Sequence, residues 1–268
     1  MTQEVIKVAV AGASGRMGRE VVKMVLGDSS LKLVAAVDRS SGPVDAASLV
    51  GLPDCGVKMS NDLELAMVEG KADVLVDFTG PQSAVANTAL AIRHGVRPVI
   101  GTTGFTTRDI EELDKQCKEK KIGGLIAPNF SIGAILMMKF ASQAAKYFPH
   151  LEIIEYHGDQ KLDAPSGTSV KTAELISKNR EEFRQGNPKE EEQLEGARGA
   201  YYNGFRIHSV RLPGVFAQQE VIMGAYGESL KIRHDSYERA AYMPGVNTAV
   251  HKVMTYEGMI YGFEHFID

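Results

Sequence analysis

Cysteine is scarce in this chain: there are two, Cys55 and Cys117. They form neither a CxxC pair nor a disulfide framework, which fits a reducing compartment. No apolar run approaches the roughly 20 residues of a membrane span. Residues 1–6 are too short and too polar for a signal peptide. These absences point to a cytoplasmic, soluble protein with no membrane partner. No Lys/Arg block dominates any segment and the net charge is -4, so no nucleic-acid partner is expected. HExxH, Gly-x-Ser-x-Gly and Cys-His signatures are missing, and the histidines show no ligand spacing with Asp, Glu or Cys. Metal sites and acyl transfer are therefore disfavoured. Internal repeats and low-complexity tracts are absent too.

What is present is an ordinary globular composition: 268 residues, 44% hydrophobic and 24% charged, enough for one large domain or two modest ones. In the first half, strand-like and helix-like segments alternate. Strands are expected at 5–10, 31–37, 73–77, 97–100 and 122–127, with helices reaching 26 and over 81–94 and 106–120. That alternation predicts a doubly wound parallel sheet of βαβ units. Beyond residue 130 the pattern predicts a helix over 131–146, a strand over 151–157 and a helix over 168–177. Residues 180–200 are charged and broken by Gly and Pro, and read as an exposed connection or flap. Three closely spaced strands, 205–211, 219–223 and 229–233, favour antiparallel pairing. Residues 246–261 look helical. The fold class is thus α/β, a Rossmann-type doubly wound sheet with a second α+β domain whose open sheet is mixed or antiparallel. The expected domains are 1–130 with 240–268, and 131–239.

Chemistry concentrates in two places. The first strand runs into Gly12-Ala13-Ser14-Gly15-Arg16-Met17-Gly18, a GxxGxxG loop that opens a helix. Glycines let the backbone approach a pyrophosphate, and the helix start offers N–H groups and partial positive charge. Arg16 can add a charge-assisted contact. Asp38 lies 20 residues after Gly18, where a carboxylate would accept the adenosine ribose hydroxyls, and Arg39 follows, suited to a 2′-phosphate. Together they predict that NADH and NADPH are both used. Gly101-Thr102-Thr103-Gly104 and Ala127-Pro128-Asn129-Phe130 also follow strands, and are placed to face the nicotinamide half.

The second place is HGDQKLDAPSGTS, residues 157–169. His157 follows a strand, and histidine as a residue type suits proton exchange near neutral pH. Lys161 can donate a proton if burial lowers its pKa, or can hold an anion without donating. Pro165 stiffens the approach to Ser166-Gly167-Thr168, which starts a helix and can bind a carboxylate. Reduction of a C=C or C=N bond needs a hydride on one atom and a proton beside it. The loop offers the second.

At these residues the chain resembles the 4-hydroxy-tetrahydrodipicolinate (dihydrodipicolinate) reductase family, over essentially its whole length. VAVAGASGRMG resembles the dinucleotide loop of that family, and VIGTTGF and APNFSIG its nicotinamide-side loops. EYHGDQKLDAPSGT resembles its signature E-x-H-H-x-x-K-x-D-A-P-S-G-T, and HSVRLPG and QEVIMG its later strands. The resemblance implies NAD(P)H-dependent reduction of a cyclic dicarboxylate in lysine and diaminopimelate biosynthesis. It implies His157 as acid/base, Lys161 as proton donor or substrate anchor, and Ser166, Gly167 and Thr168 as carboxylate holders. It also implies a homotetramer assembled through open sheets, and a final helix that returns to the first domain. Two positions depart from the family: Gly158 replaces its second histidine, and Gln218 stands where relatives often have histidine. The alternatives are another Rossmann amino-acid or semialdehyde dehydrogenase, or a catalytically weak nucleotide-binding homologue.

Overall fold

Hydrophobes fill β1 (Ile6–Ala11) almost without alternation, because both of its faces are covered. The structure, a computed structural model, describes residues 5–39, 42, 44–181 and 183–267. Residues 1–4 of the N-terminal stretch considered above, and Glu182 within the 180–200 segment, lie outside the described residues. After β1 come α1 (Arg16–Gly27), β2 (Leu31–Val37), a 3-10 turn (Ala47–Val50), β3 (Met59–Ser60), α2 (Leu63–Gly70) and β4 (Val74–Asp77). Then follow α3 (Pro81–Arg93), β5 (Arg97–Ile100), α4 (Thr107–Lys120) and β6 (Gly123–Ile126). Proline at the first turn opens α3, and a capping box between Thr106 and Asp109 opens α4.

The chain divides into two compact units, Met1–Ser131 with Tyr242–Asp268, and Ile132–Ala241. The first holds a seven-stranded parallel sheet in the order β12-β6-β5-β4-β1-β2-β3, where β12 is Gly258–Tyr261. The chain runs one way across the sheet from β1 to β3 and the other way from β4 to β6. Right-handed crossovers therefore place α1 on one face and α3 and α4 on the other. Ala84 and Ile92 of α3 and Leu113 and Cys117 of α4 pack with Ile100 and Ile126.

The second unit starts with α5 (Ile132–Ala144), β7 (His150–His157) and α6 (Gly167–Ser177). Strands β8 (Ala200–Tyr202), β9 (Phe205–Arg211), β10 (Ala217–Ala225) and β11 (Glu228–Ser236) complete it. The sheet order is β11-β10-β7-β9-β8. Alternate residues Leu151, Ile153, Phe205, Ile207, Val221 and Met223 meet Ala141 and Ala145 of α5 and Ala173 and Ile176 of α6. The opposite face carries Ile154, Tyr156, Glu220 and Ile222, and none of these is fully buried. This is a Rossmann-type parallel sheet with a second unit built on a mixed sheet.

Three expectations need correction. Residues 246–261 are not one helix: α7 (Met243–Lys252) ends, and Gly258, with φ of +97°, turns the chain into β12, which pairs with β6. Strands β10 and β11 pair antiparallel as expected, but β9 does not join them: it lies between β8, antiparallel, and β7, parallel, because α6 supplies a crossover from β7. The 180–200 segment is not exposed throughout. Arg180 is buried, donates to the carbonyls of Pro149, Phe183 and Asn203, and lies over the rings of Phe183 and Phe205.

Candidate active site

In the first unit, the loops after β1, β4, β5 and β6 all leave the carboxyl ends of parallel strands, so they share one end of the sheet. The strand order reverses between β1 and β4, which is where open α/β sheets bind ligands. Gly12 has a φ of +76°, and a Cβ there would meet the Phe78 carbonyl oxygen at 3.0 Å. Gly12 and Ala13 donate to Val37 O, and Gly15 donates back to Gly12 O at 3.0 Å. Ser14 donates from N and Oγ to Asp38 Oδ2, at 3.3 and 2.5 Å, so Asp38 braces the loop from the end of β2. Gly15 is the N-cap of α1 and no side chain caps the helix. The first amides of the helix, Arg16 and Met17, thus face outward with no intrahelical acceptor. Arg16 is exposed, and Arg39 reaches Ser83 Oγ at 2.8 Å. A cradle of glycines under an uncapped helix start fits a pyrophosphate.

Gly101 is glycine because a Cβ there would lie 2.0 Å from the Phe78 ring. Thr102 is buried and donates to Thr79 O at 2.6 Å, while Thr103 is exposed. Ala127 is buried, its N–H donating to Ile100 O; Pro128 is exposed; Asn129 Oδ1 accepts from Ser131 N at 2.8 Å. Phe130 is core: its ring lies 5.8 Å from Phe78 and 5.6 Å from Phe263. The sequence reading missed the loop after β4. Asp77 is fully buried there and accepts from Thr79 N and Oγ1 and from Asn87. Burial raises its pKa, against the lowering effect of those hydrogen bonds. Its signal was available: Asp-Phe-Thr-Gly-Pro closes a buried strand and opens a helix.

In the second unit, β7 delivers Glu155 and His157 to one face, two residues apart. His157 Nδ1 contacts Glu155 Oε2, and Arg211 grips the same carboxylate with Nη1 at 2.9 Å and Nη2 at 2.7 Å. Arg211 Nη2 also donates to Asp163 O at 2.8 Å, tying down the following loop. In that loop Lys161 Nζ lies 2.7 Å from Asp163 Oδ1. The loop closes on α6, where Ser166 is the N-cap and its hydroxyl accepts from Ser169 N. Ser166 is buried in a network in which Ser169 Oγ donates to Gln219 and Gln219 donates to Thr172. The Ser166 side chain therefore builds the helix start. Gly167 is exposed at the first helical position, where a backbone N–H has no intrahelical acceptor, and Thr168 is half-buried beside it. His157, Lys161 and the Ser166-Gly167-Thr168 turn are thus brought into one loop region.

Residues 6–130 match the sequence profile of dihydrodipicolinate reductase, N-terminus, and residues 133–267 that of its C-terminus. The chain belongs to the dihydrodipicolinate reductase family. The 4-hydroxy-tetrahydrodipicolinate reductase of Halalkalibacterium halodurans is 54% identical over 98% of this chain and 100% of the relative. That of Bacillus pumilus is 50% identical over the full length of both. A dipicolinate-bound dihydrodipicolinate reductase from Paenisporosarcina sp. TG-14 superposes with a TM-score of 0.88 at 46% identity, over 97% of this chain and 99% of that one.

The two departures from the family pattern have different surroundings. Gln218 lies on the open face of the sheet and accepts from Arg233 Nη2 at 3.1 Å, on the side of β10 away from Glu155 and His157. A Cβ at Gly158 would meet only Val215 O, at 3.3 Å. Two members of the cluster were not assigned from sequence. Glu155 had a signal: in Leu151-x-Ile153-x-Glu155 a carboxylate takes a core position. Arg211 had none. Among the described residues, no group of three or more His, Cys, Asp or Glu side chains is arranged to hold a metal, and no helix is long and apolar enough to cross a membrane.

The cluster predicts a pH dependence. Burial alone would raise the Glu155 pKa, but hydrogen bonds from His157, Arg211 and Ser209 outweigh it and bring it from 4.5 down to about 2. A folded pKa below the unfolded one stabilises above the unfolded value. That contribution, about 3 kcal/mol, is lost as pH falls from near 4.5 through about 2. The stability gap between wild type and Glu155→Gln therefore narrows between pH 5 and pH 3, as read by denaturant midpoints followed by circular dichroism.

Proposed function

We propose that this protein reduces 4-hydroxy-tetrahydrodipicolinate to tetrahydrodipicolinate with NADH or NADPH, a step of lysine and diaminopimelate biosynthesis. The observation that carries this reading is the His157–Lys161 loop running into an anion-ready helix start, in a chain of this family. When bound, the nicotinamide supplies the hydride. The first unit, the dinucleotide-binding domain, holds the pyrophosphate with Gly12, Ala13, Ser14, Gly15, Arg16 and Met17. Asp38 and Arg39 meet the adenosine ribose, and Gly101, Thr102, Thr103 and Ala127 to Phe130 form the nicotinamide side. The second unit binds substrate. Gly167 and Thr168 offer helix-start N–H groups to a substrate carboxylate, on a turn that Ser166 builds. Lys161 adds a cation in the same loop, and the proton comes from the His157/Lys161 pair.

The test is substrate-dependent loss of NAD(P)H absorbance with substrate freshly made by the preceding synthase. No substrate-dependent oxidation would remove the reading. Paired kcat/KM values for the two cofactors should lie within about tenfold of each other, since Asp38 and Arg39 favour different riboses.

The protein works in the cytoplasm as a homotetramer assembled through the open sheet faces of the second units. Ile154 and Ile222 lie on that face, flanked by Glu152 and Glu220, and a sheet face with apolar side chains left uncovered favours a partner. Ile154→Asp combined with Ile222→Asp is expected to shift sedimentation to smaller species while circular dichroism is retained. Unchanged sedimentation would exclude this face.

A further inference from the structure

We propose that Glu155 is a positioning residue that fixes the tautomer of His157 and, through Arg211, the backbone of the loop carrying Lys161. The proposal rests on the reading of His157 as the acid. Glu155 is fully buried, in a strand register otherwise filled by Leu151 and Ile153. Removing a carboxylate from water is costly unless it is paired, and a hydrophobe there would be the cheaper way to stabilise a sheet. The pairing is complete. Oε1 accepts from Arg211 Nη2, and Oε2 is shared between Arg211 Nη1 and His157 Nδ1. The groups facing Glu155 are His157 on its own strand and Arg211 and Ser209 on β9, and its pKa lies far below neutral.

An ionised carboxylate only accepts hydrogen bonds. Nδ1 of His157 must then carry the ring proton, and Nε2 becomes the atom that exchanges a proton with a ligand. The same carboxylate holds the Arg211 fork, whose Nη1 also donates to Val210 O and whose Nη2 donates to Asp163 O. Asp163 in turn holds Lys161. One buried charge thus sets the orientation of both proton-bearing groups. The same Nη atoms of Arg211 are committed within the protein, so Arg211 is read as part of the frame and not as a ligand contact.

The experiment uses the full chain with its seven histidines labelled at nitrogen. His157→Gln identifies the His157 signals by their loss. At alkaline pH, long-range nitrogen–proton correlations are expected to show the Nδ1–H tautomer for His157. An Nε2–H ring in wild type overturns the proposal, and this reading needs no variant of Glu155. In Glu155→Gln, kcat should fall at least about 100-fold with the NADPH Kd unchanged. In the His157→Gln background the same change should cost at least about tenfold less, because the tautomer it fixes is gone and only its hold on the Lys161 loop remains. Equal loss in both backgrounds means that Glu155 merely supports the fold, and overturns the role. A wild-type kcat in His157→Gln itself overturns the reading of His157 as acid and the positioning role with it, while the ring spectrum still reports whether the contact exists.

Discussion

His157→Gln should lower kcat by roughly 100- to 10,000-fold, the range a positioned general acid supplies, and leave the NADPH Kd unchanged. Glutamine approximates the size of the ring and can keep a hydrogen bond to Glu155, so the Arg211–Glu155 ion pair survives. It cannot release a proton near neutral pH. The split between rate and binding is the diagnostic. His157 belongs to the second unit and the dinucleotide loop to the first, so a loss confined to kcat marks proton transfer. Equal loss of rate and of cofactor affinity would mark a structural histidine.

Gly18→Ala should weaken dinucleotide binding on the order of 100-fold or more, the scale of an ångström-level misplacement in a site. An added Cβ would lie 2.0 Å from Gly12 O, 2.7 Å from Gly12 C and 2.8 Å from Ala13 Cα. All three atoms are backbone, so no side chain can swing aside. Either α1 moves off the sheet or the glycine loop, proposed to cradle the pyrophosphate, opens. Gly27→Ala is the control, since nothing lies within 4 Å of a Cβ built there, at the far end of the same helix. Calorimetric titration with NADPH should show normal affinity for Gly27→Ala and a collapse for Gly18→Ala. Normal affinity in Gly18→Ala would show that the third glycine of the loop is dispensable.

The doubly wound half was legible because its signals are local. Residues 31–37 and 97–100 are strands with the bounds read from sequence, and Pro81 and Thr106 mark helix starts by their own chemistry. Strand β12 was not legible. Its apolar residues continue the pattern of α7, and the two are separated by a turn over residues 253–257 and by the positive φ of Gly258. The partner of β9 is set by tertiary pairing, yet α6 between β7 and β9 was a clue to a parallel crossover. Arg180 was hidden by its charged neighbours, since composition does not reveal which one of several arginines finds three carbonyls. At the site, His157, Lys161 and the glycine loop could be read as residue types suited to a chemistry. Glu155 and Arg211 act on those residues, and that dependence exists only once β7 and β9 lie side by side.

The position of β12 also carries a consequence for biosynthesis. The first unit is interrupted in sequence by the whole of the second, and β6 pairs with β12 along one edge and β5 along the other. During vectorial synthesis β6 emerges more than a hundred residues before its outer neighbour. Until then its outer N–H and C=O groups form an open edge, the kind of template on which chains aggregate. A chain truncated before residue 258 would keep that edge permanently, making the last strand a safeguard of solubility as well as part of the sheet.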